Sequence, residues 1–141
     1  MMKIKLTDTH TKKIREHGED GYPHEICGAI LGAFEDDAIV VNELYRMENL
    51  RDENRERRYE VTPKDQLKAQ KRADERDLDV VGFYHSHPDH PAEPSQYDLD
   101  HAWPRYVYAI VSIQDGSAGA LNFWQLAEDE SEFNKLSPET S

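Results

Sequence analysis

Apolar and polar positions alternate along the chain in blocks that read as interleaved strands and helices. Thr7 to His17 is mostly polar and helix-tolerant, with Thr7 as a candidate N-cap and Gly18 just past the expected end. Glu25 to Phe34 is a continuous apolar run broken by two glycines, the pattern of a buried strand. Ala38 to Leu44 is short and β-branched, and Glu35-Asp36-Asp37 before it supplies a turn, so the two runs predict a hairpin. Glu48 to Arg58 is almost wholly charged and reads as an exposed loop; Tyr59 to Thr62 follows as an edge strand. Thr62-Pro63-Lys64-Asp65 opens a helix, with Thr at N-cap, Pro at N1 and an acid at N3, and that helix is expected to run to about Asp77.

The second half continues the alternation. Leu78 to Tyr84 is an apolar strand stopped by Pro88, and Pro94-Ser95 starts a helix toward Ala102. Tyr106 to Ile113 and Ala118 to Leu126 are two late strands separated by Asp115-Gly116. The segment from 128 to 141 carries net charge −4 and is expected to be a frayed, flexible tail behind a single domain over residues 1–127. Strands interleaved with helices over this length imply an α/β fold in two or three layers around a mixed sheet.

Composition narrows the classes. The chain has 141 residues with 17 Lys+Arg against 29 Asp+Glu, a formal charge of −12. Residues 46–76 hold 10 of the basic residues against 8 acids, so the remainder balances at −14. That acidity argues against a nucleic-acid surface or an anchor on anionic membrane. It is read as a solvated surface, with a high-salt acidic coat as the alternative. Cys27 is the single cysteine, which excludes an internal disulfide framework and fits a reducing compartment. The segment Met1 to Lys5 lacks the apolar stretch of a signal peptide, and the run Gly28 to Phe34 is too short to span a bilayer. A cytoplasmic protein is expected.

Chemistry concentrates at His85-Ser86-His87-Pro88-Asp89-His90, directly after an apolar strand. Residues two apart on a strand share a face, so His85 and His87 project side by side while Ser86 points away. Two imidazoles on a rigid strand end can chelate a divalent ion, although His-x-His alone is a weak motif. Asp98 is a third candidate ligand, in competition with a plain capping box formed by Ser95 and Asp98. His90, Asp89, Asp100 and His101 are rival ligands on spacing grounds, each read first as surface. Glu25, from its position alone, reads as an exposed residue just before its strand. Cys27, between Ile26 and Gly28, reads as a small buried hydrophobe and not a nucleophile. Trp103, Phe123 and Trp124 are assigned to the core.

The spacing His85-x-His87, seven residues, Ser95, two residues, Asp98 resembles the motif of the JAMM (MPN-domain) zinc metalloproteases. A pattern so fixed arises by chance in a chain of this composition on the order of 2 times in 1,000. Glu25-Ile26-Cys27-Gly28 resembles the family's early Glu-x-Cys-Gly strand, Gly82-Phe83-Tyr84 its approach to the histidines, and Arg58 to Pro63 its strand leading into a helix. The resemblance spans about residues 20–125. It implies a mixed sheet flanked by helices, similar to cytidine deaminases, with His85, His87 and Asp98 as zinc ligands. It further implies Glu25 as general base and Ser95 as the group stabilising the tetrahedral oxyanion. The deaminase chemistry itself is excluded because one cysteine cannot make Pro-Cys-x-x-Cys, and no His-Glu-x-x-His is present. A chain this short resembles the minimal bacterial members, which implies hydrolysis after the C-terminal Gly-Gly of a ubiquitin-like sulfur-carrier protein. Arg51, Arg55, Arg57 and Arg58 would be the place for an acidic carrier to dock, against the simpler reading of a solvated loop. The alternative from another class is an MPN scaffold that binds a partner without turnover.

Overall fold

The hairpin expected from the two early apolar runs forms the centre of the sheet. In the computed structural model, which describes residues 2–47, 63–100 and 102–140, β2 (Cys27–Phe34) pairs antiparallel with β3 (Ala38–Met47). On its other edge β2 pairs antiparallel with β4 (Asp79–Pro88), and β4 pairs in parallel with β5 (Val107–Gln114). β5 and β6 (Ser117–Leu126) form the late hairpin. β1 (Lys3–Leu6) lies parallel to β3, and β7 (Phe133–Thr140) pairs with both β6 and β1, closing the mixed sheet in the order β1-β3-β2-β4-β5-β6-β7.

Helices cover both faces, as the α/β reading requires. α1 (Asp8–Gly21) lays Ile14 against a core of Ile4, Ile30, Ile39, Tyr84 and Val107. α2 (Pro63–Glu75) presents Ala69 and Ala73, one turn apart, to Cys27, Ala29, Leu31 and Phe83 on the opposite face. Neighbouring β2 residues therefore serve different cores, which explains a run that is apolar throughout instead of alternating. The short α3 (Gln96–Asp100) follows the histidines. Among the described residues, no helix is long and apolar enough to cross a membrane.

Three expectations differ from the structure. α1 does not stop at Gly18. That glycine is buried inside the helix against the sheet, where an added Cβ would sit 2.6 Å from Ile113 Cδ1. Close packing, not chain termination, is its role, and the helix ends before Pro23. β4 does not stop at Tyr84 but runs through both histidines to Pro88, because β5 continues to pair with it there. The expected flexible tail contains β7: backbone pairing on both edges and burial of Leu136 hold an otherwise polar segment in place. The charged stretch 48–58 with its arginines, the strand 59–62, the Thr62 cap and His101 lie outside the described residues.

Candidate metal centre

β4 carries His85 and His87 on one face, and the five-residue α3 brings Asp98 against them. His85 Nε2 and His87 Nε2 are 3.1 Å apart. Asp98 Oδ1 lies 3.3 Å from the first and Asp98 Oδ2 3.3 Å from the second. All three side chains are buried, His85 to 1% exposure. Donors arranged tetrahedrally at a Zn–ligand distance of about 2.05 Å stand about 3.3 Å from one another. The spacing of these three thus fits a small divalent ion, and the donor set of two imidazoles and one carboxylate suits it chemically.

Hydrogen bonds and burial orient each candidate ligand and set its charge. His87 Nδ1 donates to the Pro91 carbonyl at 2.8 Å, which turns its Nε2 toward the centre. Pro91 is itself held: the carbonyl of His90 accepts from Ser112 Oγ at 2.6 Å, and that of Ala92 from Asn122 Nδ2 at 3.1 Å and Trp124 Nε1 at 3.3 Å. Burial pushes His85 down against the pull of Asp98, which favours the neutral imidazole. Burial would lower His87 as well. Hydrogen bonds to Asp98 and Pro91, with the charges of Asp98 and Glu25, outweigh it and leave His87 above its usual value. Burial alone would raise Asp98, yet the two imidazoles and the Ser95 amide hold it well below the carboxylate range, so it stays ionised.

Cap and ligand geometry coexist on Asp98. Its Oδ2 accepts from the Ser95 amide at 2.9 Å while Ser95 Oγ accepts from the Asp98 amide at 3.1 Å, a reciprocal capping box. The same carboxylate reaches both histidines, because its two oxygens divide the work. Glu25 lies before the first regular residue of β2, as expected, but it is 5% exposed, not a surface residue. It shares with His87, His90, Glu93 and Ser95 an open cleft of ≈ 550 Å³, whose walls include Pro88, Pro91 and Pro94. Three prolines with fixed φ make those walls stiff.

Among the described residues, the rival ligands do not join the three. Asp89 accepts from Tyr22 Oη at 2.6 Å and from the Asp115 amide at 2.9 Å, and Asp100 accepts from Gln96 Nε2 at 2.8 Å. His90 lines the cleft without joining the three ligands. Cys27 is buried with its thiol pushed up to about 12, chiefly by burial and then by Asp65 and Glu25, which removes it as a nucleophile. Phe123 is core. Trp103 is not: it is 60% exposed beside Leu67 at 71%, across a groove floored by Phe83. Hydrophobic patterning does not reveal a backbone acceptor such as the Pro91 carbonyl, four residues from His87, and the Asn122–Trp124 latch on Ala92 acts between segments some 30 residues apart.

Comparison with known proteins identifies the family. The family model of prokaryotic homologs of the JAB domain matches residues 7–127. The chain belongs to that family. A desampylase of Haloferax volcanii is 35% identical over 106 residues, 74% of either chain. The solution structure of a Salinibacter ruber protein is 46% identical, with a TM-score of 0.75 over 98% of this chain and 92% of that one. A JAB1/MPN domain protein from Archaeoglobus fulgidus shares the fold at TM-score 0.55 and 18% identity, over 99% of this chain and 97% of that one.

Proposed function

We propose that this JAB-family protein is a zinc-dependent metallopeptidase. It hydrolyses the amide or isopeptide bond that follows the C-terminal Gly-Gly of a ubiquitin-like or sulfur-carrier protein. One observation carries the reading: three candidate ligand atoms lie 3.1 to 3.3 Å apart, and one of their residues, His87, lines a cleft together with Glu25 and Ser95. The desampylase name of the Haloferax volcanii relative supports a hydrolase acting on a conjugate. Zinc held by His85, His87 and Asp98 would supply a Lewis acid and a water acidified to a pKa of about 7.

The chain's own residues do the rest. Glu25 takes the proton of the attacking water on a carboxylate oxygen and passes it to the leaving amine, so that amide and water become acid and amine. Such proton transfer contributes about 10²–10⁴-fold. Ser95, capping α3 through its oxygen lone pair, retains its hydroxyl proton to donate to the developing oxyanion. A scaffold that binds without turnover has no need of a buried carboxylate and a hydroxyl in one cleft, and their presence favours the enzyme.

The test is release of the amine from a ubiquitin-like protein ending in Gly-Gly amide-linked to a lysine peptide, followed by mass spectrometry. Wild type is expected to convert it and Glu25→Gln to lose at least about 100-fold. Equal turnover by the two would remove Glu25 from the role of base.

A further inference from the structure

Ser86, between the two histidines, faces the other way and is fully buried. The antiparallel register that pairs Cys27 with His85 and Gly28 with Tyr84 would, one step further, place Ile26 opposite Ser86, and beyond it Glu25 opposite His87. The regular β2 ladder ends before that point, at Cys27. At the Ile26–Ser86 level one ladder bond survives, with the Ser86 amide donating to the Ile26 carbonyl at 3.1 Å. Its reciprocal does not go to backbone. The Ile26 amide donates instead to Ser86 Oγ at 2.9 Å.

We infer that Ser86 is a positioning residue for Glu25, its hydroxyl replacing the missing backbone acceptor and holding the Glu25–Ile26 peptide against β4. Ile26 is anchored on its far side by packing into the α1 core, and the preceding turn is closed by the His24 amide on the Gly21 carbonyl at 2.9 Å. Glu25 therefore stands between a closed turn and a two-bond clamp. Without the hydroxyl, the buried Ile26 amide has to find another acceptor, and the shift that lets it do so carries Glu25 away from His87. A displacement near 1 Å at a reacting group costs on the order of 10²-fold. This inference rests on Glu25 acting as the base.

The experiment compares wild type, Ser86→Ala, Ser86→Cys and Ser86→Thr, each also with Glu25→Gln, in single turnovers of the Gly-Gly–lysine conjugate. Zinc content is measured on every sample. Ser86→Ala is expected to lower kcat about 10- to 100-fold with KM and zinc stoichiometry nearly unchanged. Ser86→Thr, which keeps the hydroxyl, should restore most of the rate, and Ser86→Cys, a near-isostere with a weak acceptor, should fall between. Hydrogen exchange of the Ile26 amide should quicken at least about tenfold in Ser86→Ala while Ala29 keeps its protection. In the Glu25→Gln background the Ser86→Ala effect should vanish. Should Ser86→Ala not fold, Ser86→Cys carries the same comparisons. Full rate in a folded, zinc-loaded Ser86→Ala or Ser86→Cys would overturn the assignment. Equal losses in both backgrounds, or a loss that tracks zinc, would do the same. Wild-type turnover by Glu25→Gln alone would instead overturn the role of Glu25.

Discussion

Gly28 sits under the ring of Tyr84, and the consequence of giving it a side chain can be worked from the geometry. A Cβ at position 28 would lie 2.2 Å from Cε2 and Cζ of Tyr84 and 2.4 Å from its oxygen. Tyr84 is fully buried, edge-on to His17, and its hydroxyl is 2.6 Å from His17 Nδ1. To reach ordinary van der Waals contact the ring must move by more than about 1 Å, which overpacks the α1 core at a cost of about 1–3 kcal/mol. The same movement breaks a buried hydrogen bond, adding about 1–3 kcal/mol. Gly28→Ala should therefore destabilise by about 2–6 kcal/mol, which at about 4 °C per kcal/mol for a domain of this size lowers Tm by roughly 8–24 °C. Because Tyr84 is the residue before His85, zinc retention should weaken as well. Differential scanning calorimetry of wild type, Gly28→Ala, Tyr84→Leu and the double variant decides it. The double variant should lose clearly less than the two singles combined, since the clash then has no second partner. A Gly28→Ala protein melting within 2 °C of wild type, or strict additivity, would show that the close approach does not govern this position.

Two further outcomes follow from the same structure. Asn122→Ala combined with Trp124→Phe releases the Ala92 carbonyl and loosens the loop that presents the Pro91 acceptor to His87; zinc affinity measured by chelator competition should fall about tenfold, as for other partners that orient a ligand. His17 is held at about 4, chiefly by burial and then by the charge of Arg46, below the value of about 6.5 it has in the unfolded chain. Its contribution is complete above pH 6.5 and is lost as pH falls toward 4, because there the unfolded chain binds the extra proton. In urea titrations at pH 7 and pH 4.5, His17→Gln should lose about 2 kcal/mol less than wild type between the two, after allowance for partial solvent screening of the ring; equal losses would refute the assignment.

The strands around the site were legible because their signals are local. Two β-branched or apolar runs with an acidic turn between them make the central hairpin, and period-two alternation alone puts His85 and His87 on one face. Where reading by pattern failed, the deciding contact lay far off in sequence. Gly18 looks like a helix terminator until the sheet residue Ile113 is placed against it. The polar segment of β7 has one buried apolar residue, Leu136, and is a strand because β1 and β6 offer it two edges. Glu25 reads as exposed from its neighbours, yet the fold places it beside His87 in the cleft. Asp98 presented a choice between cap and ligand that sequence alone leaves open; two oxygens on one carboxylate let it face both ways.

The central claim is tested most directly by the metal itself. Protein purified without chelators or histidine tags should carry close to one equivalent of zinc by mass spectrometry of the native protein. Removal with a chelator should abolish release of the amine from the Gly-Gly conjugate, and one added equivalent of zinc should restore it. Protein that holds less than about one-tenth of an equivalent, or that turns over equally well after chelation, would contradict the account.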